Sequence, residues 1–522
     1  MENMIGTSFI GYSRGAHTGQ ITSAINPATR ETLEPGYAAP SSDEVETAIR
    51  LAHHAFPVYR MKSAAARANF LRKIATEIET AADEIAARGC AETGLPEARL
   101  RGETGRTIGQ LRLFAGMLDE GSWLDARVEH AIPDRAPIPK PDIRSMMRPL
   151  GPVAVFCASN FPLAYSVAGG DSASALAVGC PVIVKAHSSH PGTAEIVAGA
   201  VIRAAKACDM PEGVFSVLYG SGVTVGATLV KHPSIKAVGF TGSHQGGRAL
   251  MDIAAARPEP IPVYAEMSSI NPVVFLPEIL HQKAETLAEG FFQSLTLGVG
   301  QFCTNPGMVL LPRGSESTFL KTLKEKIAQA PAGVMLNSGI CKAYEHSTAS
   351  TASQPGVTRI ISEQHAAEGC GLPQIFVCDA ATFLQHDELT EEMFGPASLL
   401  ITGNAEELLA VAESLEGQLT ASIHGTEGDF TNASTLLEIL ERKAGRLIFN
   451  GFPTGVEVCH SMVHGGPYPS TSDGRSTSVG TMAASRFTRA VAWQNTPDHL
   501  LPDELKEQNP LGIPRMVDGK RN

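Results

Sequence analysis

Between residues 43 and 118 the apolar positions recur at spacings of three and four. The runs "SDEVETAIRLAHHAF", "AAARANFLRKIATEIETAADEIAAR" and "EARLRGETGRTIGQLRLFAGML" carry this rhythm, which predicts amphipathic helices, with Ser42 and Asp43 as a cap. The prolines of "HAIPDRAPIPKPDIRSMMRPLGP" (130–152) exclude helix interior and predict an extended connection or edge strand. From residue 153 short apolar runs alternate with helical segments. "VAVFC" precedes the small-residue helix "LAYSVAGGDSASALAVG", and "VIVK" precedes "TAEIVAGAVIRAAKAC". "VFSVLY" precedes "VGATLVKH", "IKAVGFTG" precedes "GGRALMDIAAA", and "PVYAE" ends at Glu266. Such alternation predicts a parallel, doubly wound α/β sheet covered on both faces. A helix-patterned stretch, "LAEGFFQSLTLGV", leads to "GQFCTNPG". A second alternating block follows, with strands "MVLL", "IFVC", "ASLLI", "LTASIHG" and "GRLIFNG" and helices at 315–329, 404–416 and 427–443. The fold class is therefore α/β with two doubly wound α/β domains. The end of the chain, "ASRFTRAVAWQNTPDHLLPDELKEQNPLGIPRMVDGKRN", reads as an arm rather than a core element.

Composition narrows the function without naming it. The 522 residues are 43% hydrophobic and 18% charged, and the net charge is 42 − 54 = −12. No dense Lys/Arg block is present to release phosphate counterions or to hold a membrane surface, so neither a nucleic acid nor a membrane is an expected partner. No run of about 18 apolar residues and no secretion signal is apparent. The nine cysteines are scattered without C-x-x-C, which suits a reducing compartment and a cytoplasmic location.

Candidate chemistry collects where the predicted strands end, which is where ligands of such sheets bind. "ASNFP" places Asn160 at a helix start, "AHSSHPG" follows Lys185, "TGSHQGG" includes Gly242 and Ser243, and Glu266 closes the last strand. Each has a plain structural alternative: Asn160 as a helix cap, the Gly-Ser turn as a connection, Glu266 as a solvated carboxylate. Cys303, in a short Gly-rich loop, is either a packed small residue or a partly exposed nucleophile that needs a lowered pKa. "VCHSMVH" offers Cys459, His460 and His464, and "HSSH" offers His187 and His190. These segments read as loop and lack a clean set of three or four zinc ligands, so no metal site is expected.

In order along the chain, "ASNFP", "VIVK", "GFTGSHQGG", "YAEMSS", "GQFCTNPG" and "EEMFGP" (391–396) resemble the motifs of the aldehyde dehydrogenase superfamily. The resemblance spans roughly residues 20 to 490, and Glu266 precedes Cys303 by 303 − 266 = 37 residues, close to the family's gap. It implies an aldehyde dehydrogenase fold in three parts. Residues 1–130 and 150–266 would bind the dinucleotide, 267–485 would form the catalytic domain with the nucleophilic cysteine, and 131–149 with 486–522 would supply an oligomerisation hairpin and arm. A homodimer or homotetramer follows from that resemblance.

The same resemblance implies roles for single residues. Cys303 would be the nucleophile, Asn160 an oxyanion donor alongside the Cys303 N–H, and Glu266 the general base for hydrolysis of a thioester. Lys185, Ser188, Gly242, Ser243, Glu392 and Phe394 would contact the cofactor. Phe161, Phe302 and Tyr468 would line the substrate entrance. Where the common pattern places a glutamate three residues after the lysine, this chain has Ser188. An acidic group there would repel a 2′-phosphate, so NADP is expected, with NAD possible. Met267-Ser268-Ser269-Ile270 replaces the usual Leu-Gly-Gly-Lys. With "YAEMSSINPVVF", "HGGPYPSTSD" (464–473) and "LLPDELKEQNPLGI", it resembles the branch that oxidises 2,5-dioxopentanoate (α-ketoglutarate semialdehyde) to 2-oxoglutarate. The neighbouring branch is NADP-linked and takes fatty aldehydes.

Overall fold

The five apolar runs between residues 153 and 266 form neighbouring parallel strands. In the computed structural model, which describes residues 4–521, the order across this sheet is Val263–Glu266, Ala237–Thr241, Val153–Phe156, Val182–Lys185 and Phe215–Leu218. A small antiparallel hairpin, Phe9–Ile10 with Ser13–Arg14, extends the far edge. The central strands are buried on both faces, which is why they read as continuous Val/Ile/Ala runs rather than alternating ones. One face packs against the helices Ala64–Thr80, Glu97–Glu120, Gly170–Val178 and Pro191–Ala207. The other packs against Ser42–Tyr59 and His244–Ala255.

The second sheet runs Thr358–Ile361, Gln374–Asp379, Ala397–Gly403, Met308–Pro312, Pro272–Phe275, Gln418–His424 and Ala444–Phe449. All of its pairings are parallel except that of the first edge strand. The central Pro272–Phe275 was not legible as a strand, because four residues that begin with proline offer no alternation. A third, five-stranded sheet joins Thr488–Gln494, Ile143–Pro149, Arg127–Glu129, Met516–Val517 and Lys520–Arg521. The proline-rich stretch and the tail therefore pair with each other. The tail is also more anchored than an arm: Phe487, Leu501 and Leu505 are buried.

Three sequence expectations need correction. The cap of the first helix is Ser41, which forms a capping box with Glu44. The span expected to be one helix at 427–443 breaks into Glu427–Thr431 and Ser434–Lys443. The small-residue helix begins only at Gly170, so Asn160 is not at a helix start. Residues 161–169 run instead as turns, because buried Glu103 accepts the amides of Leu163 and Ala164 at 3.3 and 3.4 Å. Glu103 is itself held by Arg99 at 2.8 Å.

Candidate active site

Lys185 and Glu266 end their strands, and Asn160 and the Gly242-Ser243 turn lie just past the ends of theirs, so all face the carboxyl edge of the first sheet. Cys303 comes from the other unit, beyond the helix Pro277–Thr296 and the tight turn Leu297–Gly300. Gly300 has φ +65°, and a Cβ there would lie 2.3 Å from the Gly395 carbonyl oxygen, so glycine is what permits this approach. Asn305 Nδ2 donates to the same carbonyl at 3.1 Å, docking the cysteine loop on "EEMFGP". From the opposite side Asn271 Nδ2 donates to the carbonyl oxygens of Cys303 and Asn305, both at 2.9 Å. Gln418 in turn accepts the amides of Ile270 and Asn271 at 2.9 and 3.1 Å.

Cys303 is half-buried, and its Sγ lies 3.5 Å from His464 Nε2. The same nitrogen is 2.9 Å from Glu266 Oε1, and Ser478 Oγ donates to Glu266 Oε2 at 2.7 Å. Glu266 and His464 are both buried. The segment 464–478 reaches them by lying along the last strand of the first sheet: Ser472 N–H donates to the Ala265 carbonyl at 2.9 Å and Met267 N–H to that of Ser470 at 2.8 Å. The imidazole proton belongs on Nε2, since an ionised carboxylate faces it there and Nδ1 has no partner. Burial alone would raise Glu266, but His464, Ser478 and Cys303 outweigh it and hold the carboxyl below its ordinary range. Burial, then the charge and hydrogen bond of Glu266, push the Cys303 thiol well above its ordinary value. This corrects the expectation of a low-pKa cysteine. The resting site holds a thiol beside a carboxylate, because the sulfur packs in an apolar cluster with an anion as neighbour. Asn160 Nδ2 donates to the Gln301 carbonyl at 3.0 Å, leaving its second N–H available. The Cys303 amide N–H meets no acceptor among the described residues.

Phe161 and Phe302 stand edge to face at 5.6 Å, and Phe161 and Tyr165 at 5.0 Å. With Val479 they form a small cluster against which Cys303, Val456, Val458 and Met462 pack. Tyr468 is elsewhere. It is exposed, and its hydroxyl lies 3.0 Å from His244 Nε2 at the start of the helix His244–Ala255. It borders the dinucleotide edge rather than the thiol.

The groups on that edge fit a dinucleotide. Burial lowers the pKa of Lys185, yet no hydrogen-bond or ion-pair partner for its ammonium exists among the described residues. Ser243 Oγ caps the helix His244–Ala255 by accepting the Gly246 amide at 3.2 Å, and the His244 amide donates to Ser268 Oγ at 3.4 Å, which leaves the Gln245 amide at that helix start to meet a phosphate oxygen. Ser188 is exposed in the turn after Lys185. Burial pushes Glu392 up to about 7 against hydrogen bonds from Ser268 and Ser269, and Phe394 is half-buried two residues on.

Among the described residues, the group of His, Cys and acidic side chains close enough to share a metal ion is Glu266, Cys303 and His464, whose ligand atoms lie within 4.8 Å of one another. Sequence reading had set His464 beside Cys459 and His460; instead His460 turns to Thr481 at 3.2 Å. Thiolate, imidazole and carboxylate are all ligands that zinc takes. Added Zn²⁺ is therefore expected to inhibit by binding the reactive sulfur, with recovery on chelation. Activity insensitive to zinc would show that the three atoms cannot close on an ion.

His464, Ser478, Asn271 and Gln418 were missed as site residues from sequence. His464, Ser478 and Gln418 act across about 150 to 210 residues and Asn271 reaches Cys303 across 32, and no local spacing announces them.

The sequence profile described as the aldehyde dehydrogenase family matches residues 14–490. Alpha-ketoglutaric semialdehyde dehydrogenase 2 of Azospirillum brasilense is 50% identical over 521 residues, covering 99% of each chain. The alpha-ketoglutaric semialdehyde dehydrogenase of Acinetobacter baylyi is 45% identical over 519 residues, covering 98% of each. A solved structure, an NADP-dependent enzyme of E. coli, superposes with TM-score 0.78 at 24% identity, covering 94% of this chain and 98% of that one.

Proposed function

We propose, on the premise that this chain belongs to the aldehyde dehydrogenase family, that its aldehyde substrate is α-ketoglutaric semialdehyde and its product 2-oxoglutarate. The chain is an enzyme that oxidises an aldehyde to a carboxylic acid, as its family does. The observation that carries the substrate is the 50% identity to the A. brasilense enzyme over 99% of both chains.

In this reading Cys303 adds to the aldehyde carbon once its proton has passed to the Glu266–His464 pair. Developing negative charge on the former carbonyl oxygen is met by the free N–H of Asn160 and the amide of Cys303; losing one such donor costs about 2.7–4 kcal/mol of barrier. Lys185, Ser188, Ser243 and Glu392 on the sheet edge would hold NADP, which would supply the hydride acceptor when bound. Once that first proton has left to solvent, Glu266, ionised again and held so by His464 and Ser478, takes a proton from the water that hydrolyses the acyl-cysteine. Arg99 covers the faces of Phe161 and Phe302 at 4.5 and 4.2 Å and donates to the Asn160 carbonyl at 3.5 Å, which steadies the oxyanion side.

The substrate is tested by the ratio of kcat/KM for α-ketoglutaric semialdehyde over a long alkanal. Preference for the alkanal would transfer the assignment to fatty aldehydes, which the apolar cluster around Cys303 could also receive.

The cofactor assignment rests on Lys185 and Ser188. Ser188→Glu would set a carboxylate beside a 2′-phosphate. The kcat/KM for NADP is expected to fall relative to NAD by about tenfold or more, since about 1.4 kcal/mol of repulsion suffices for that factor. An unchanged ratio would place the phosphate elsewhere. A homo-oligomer is part of the proposal. Thr488–Gln494 is the edge strand of the third sheet, with its outer side unpaired among the described residues, and a second copy would cover it. Scattering mass at working concentration checks this.

A further inference from the structure

Two arginines border the reactive thiol, and among the described residues neither has a carboxylate in ion-pair contact. Arg106, on the helix Glu97–Glu120, donates through Nη2 to the Tyr165 hydroxyl at 3.0 Å, and its Cζ lies 5.2 Å from the Tyr165 ring centroid. Tyr165 is in the apolar cluster of Cys303, with its ring 5.9 Å from that of His464. Arg446, on the edge strand Ala444–Phe449, donates through Nη2 to the carbonyls of Pro453 and Gly455 at 3.0 and 3.1 Å. The chain leads from there directly to Val456 and Val458, which pack on the same cluster. The Nε of each arginine is buried without a hydrogen-bond partner, and neither forms an ion pair among the described residues. Their charges act on Cys303 and on each other. By contrast Arg99, which also borders the cluster, is committed to Glu103.

Two like charges sharing a cleft repel, and buried N–H groups without acceptors are costly. Glu103 acts on Arg106 but is paired with Arg99, and among the described residues no carboxylate pairs with Arg106 or Arg446. A carboxylate arriving from outside would relieve both penalties, because guanidinium N–H groups match carboxylate oxygens in pairs.

We propose that Arg106 and Arg446 form the anion subsite of the substrate cleft, receiving the carboxylate remote from the aldehyde. The inference rests on the reading of the substrate as an oxo-acid aldehyde, and it names the groups that select the acid. A site built to bond a polar group discriminates strongly against analogues that lack it.

The test uses the full chain with NADP and two readouts. First, 2-oxoglutarate is expected to compete against pentanal in the wild type. In Arg106→Met and in Arg446→Met its inhibition constant should rise by about tenfold or more, the scale of a lost charged hydrogen bond. Second, the ratio of kcat/KM for α-ketoglutaric semialdehyde over pentanal should fall by a similar factor, mainly through KM, with Arg106→Lys recovering part of it. Melting curves and NADP titration verify the fold, and the lysine variants replace any methionine variant that does not fold. Absence of competition in the wild type, or unchanged constants in the variants, overturns the subsite. If 2-oxoglutarate competes through these arginines but α-ketoglutaric semialdehyde is not oxidised, the substrate reading fails and the subsite stands. If the semialdehyde is oxidised well and the variants keep its selectivity, the subsite fails and the substrate reading stands.

Discussion

Cys303→Ala is expected to lose aldehyde oxidation by a factor on the order of 10⁴ or more, the scale seen when a covalent nucleophile is removed. Cys157 and Cys180 do not take its place: both are buried, with thiols that burial pushes up to about 11. The fold should hold, since only one atom leaves the edge of a small cluster while Asn271 still binds the loop through the Cys303 carbonyl. Stopped-flow absorbance of the reduced cofactor gives the readout, and no first-turnover signal should appear. Mass spectrometry of quenched wild-type enzyme should place the acyl group on the peptide carrying Cys303. Because the resting thiol sits well above its ordinary pKa, its alkylation by iodoacetamide should accelerate as pH rises from neutral into the alkaline range. A plateau near neutrality would mean a preformed thiolate, contrary to the geometry. An acyl group on another side chain would remove Cys303 from the mechanism.

Glu266→Gln is expected to separate the two halves of the reaction. Steady turnover should fall by about 10²–10⁴-fold, the usual contribution of a general base, while a first burst of reduced cofactor survives. The burst survives because the Glu266 charge is one of the causes that keep the thiol protonated. Removing it lowers the thiol pKa, so the thiol can lose its proton to solvent without the carboxylate. The sign is testable apart from turnover: the variant should be alkylated faster than wild type at neutral pH. Steady turnover near the wild-type rate would mean that water is activated by another group. Loss of burst and of alkylation together would make Glu266 indispensable for deprotonating the thiol and not only for activating water.

Much of this architecture could be read along the chain. The first sheet's strands are continuous apolar runs buried on both faces, so their positions needed only local composition, and their parallel order followed from the helices between them. The strand ends then marked Lys185, Gly242, Ser243 and Glu266, because a parallel sheet presents one edge to its ligands. Cys303 was legible from its glycine-flanked loop, and the resemblance gave it a role. The failures also have local causes. Residues 161–169 have helical composition, but the amides of Leu163 and Ala164 are taken by Glu103, about 60 residues earlier in the chain.

What sequence determined is the set of elements, the polar sheet edge and the side chains proposed to react there. Each of these depends on a residue's neighbours within one turn or one strand. What only the tertiary structure decided is how those side chains are tuned. His464 and Ser478 reach Glu266 because 464–478 lies along the last strand of the first sheet; Tyr468 is carried by the same segment away from the thiol. Arg106 and Arg446 both reach the border of the Cys303 cluster though 446 − 106 = 340 residues separate them. Protonation state and charge balance depend on distances of a few ångströms between groups remote along the chain, and those distances come into being only when the two sheets pack.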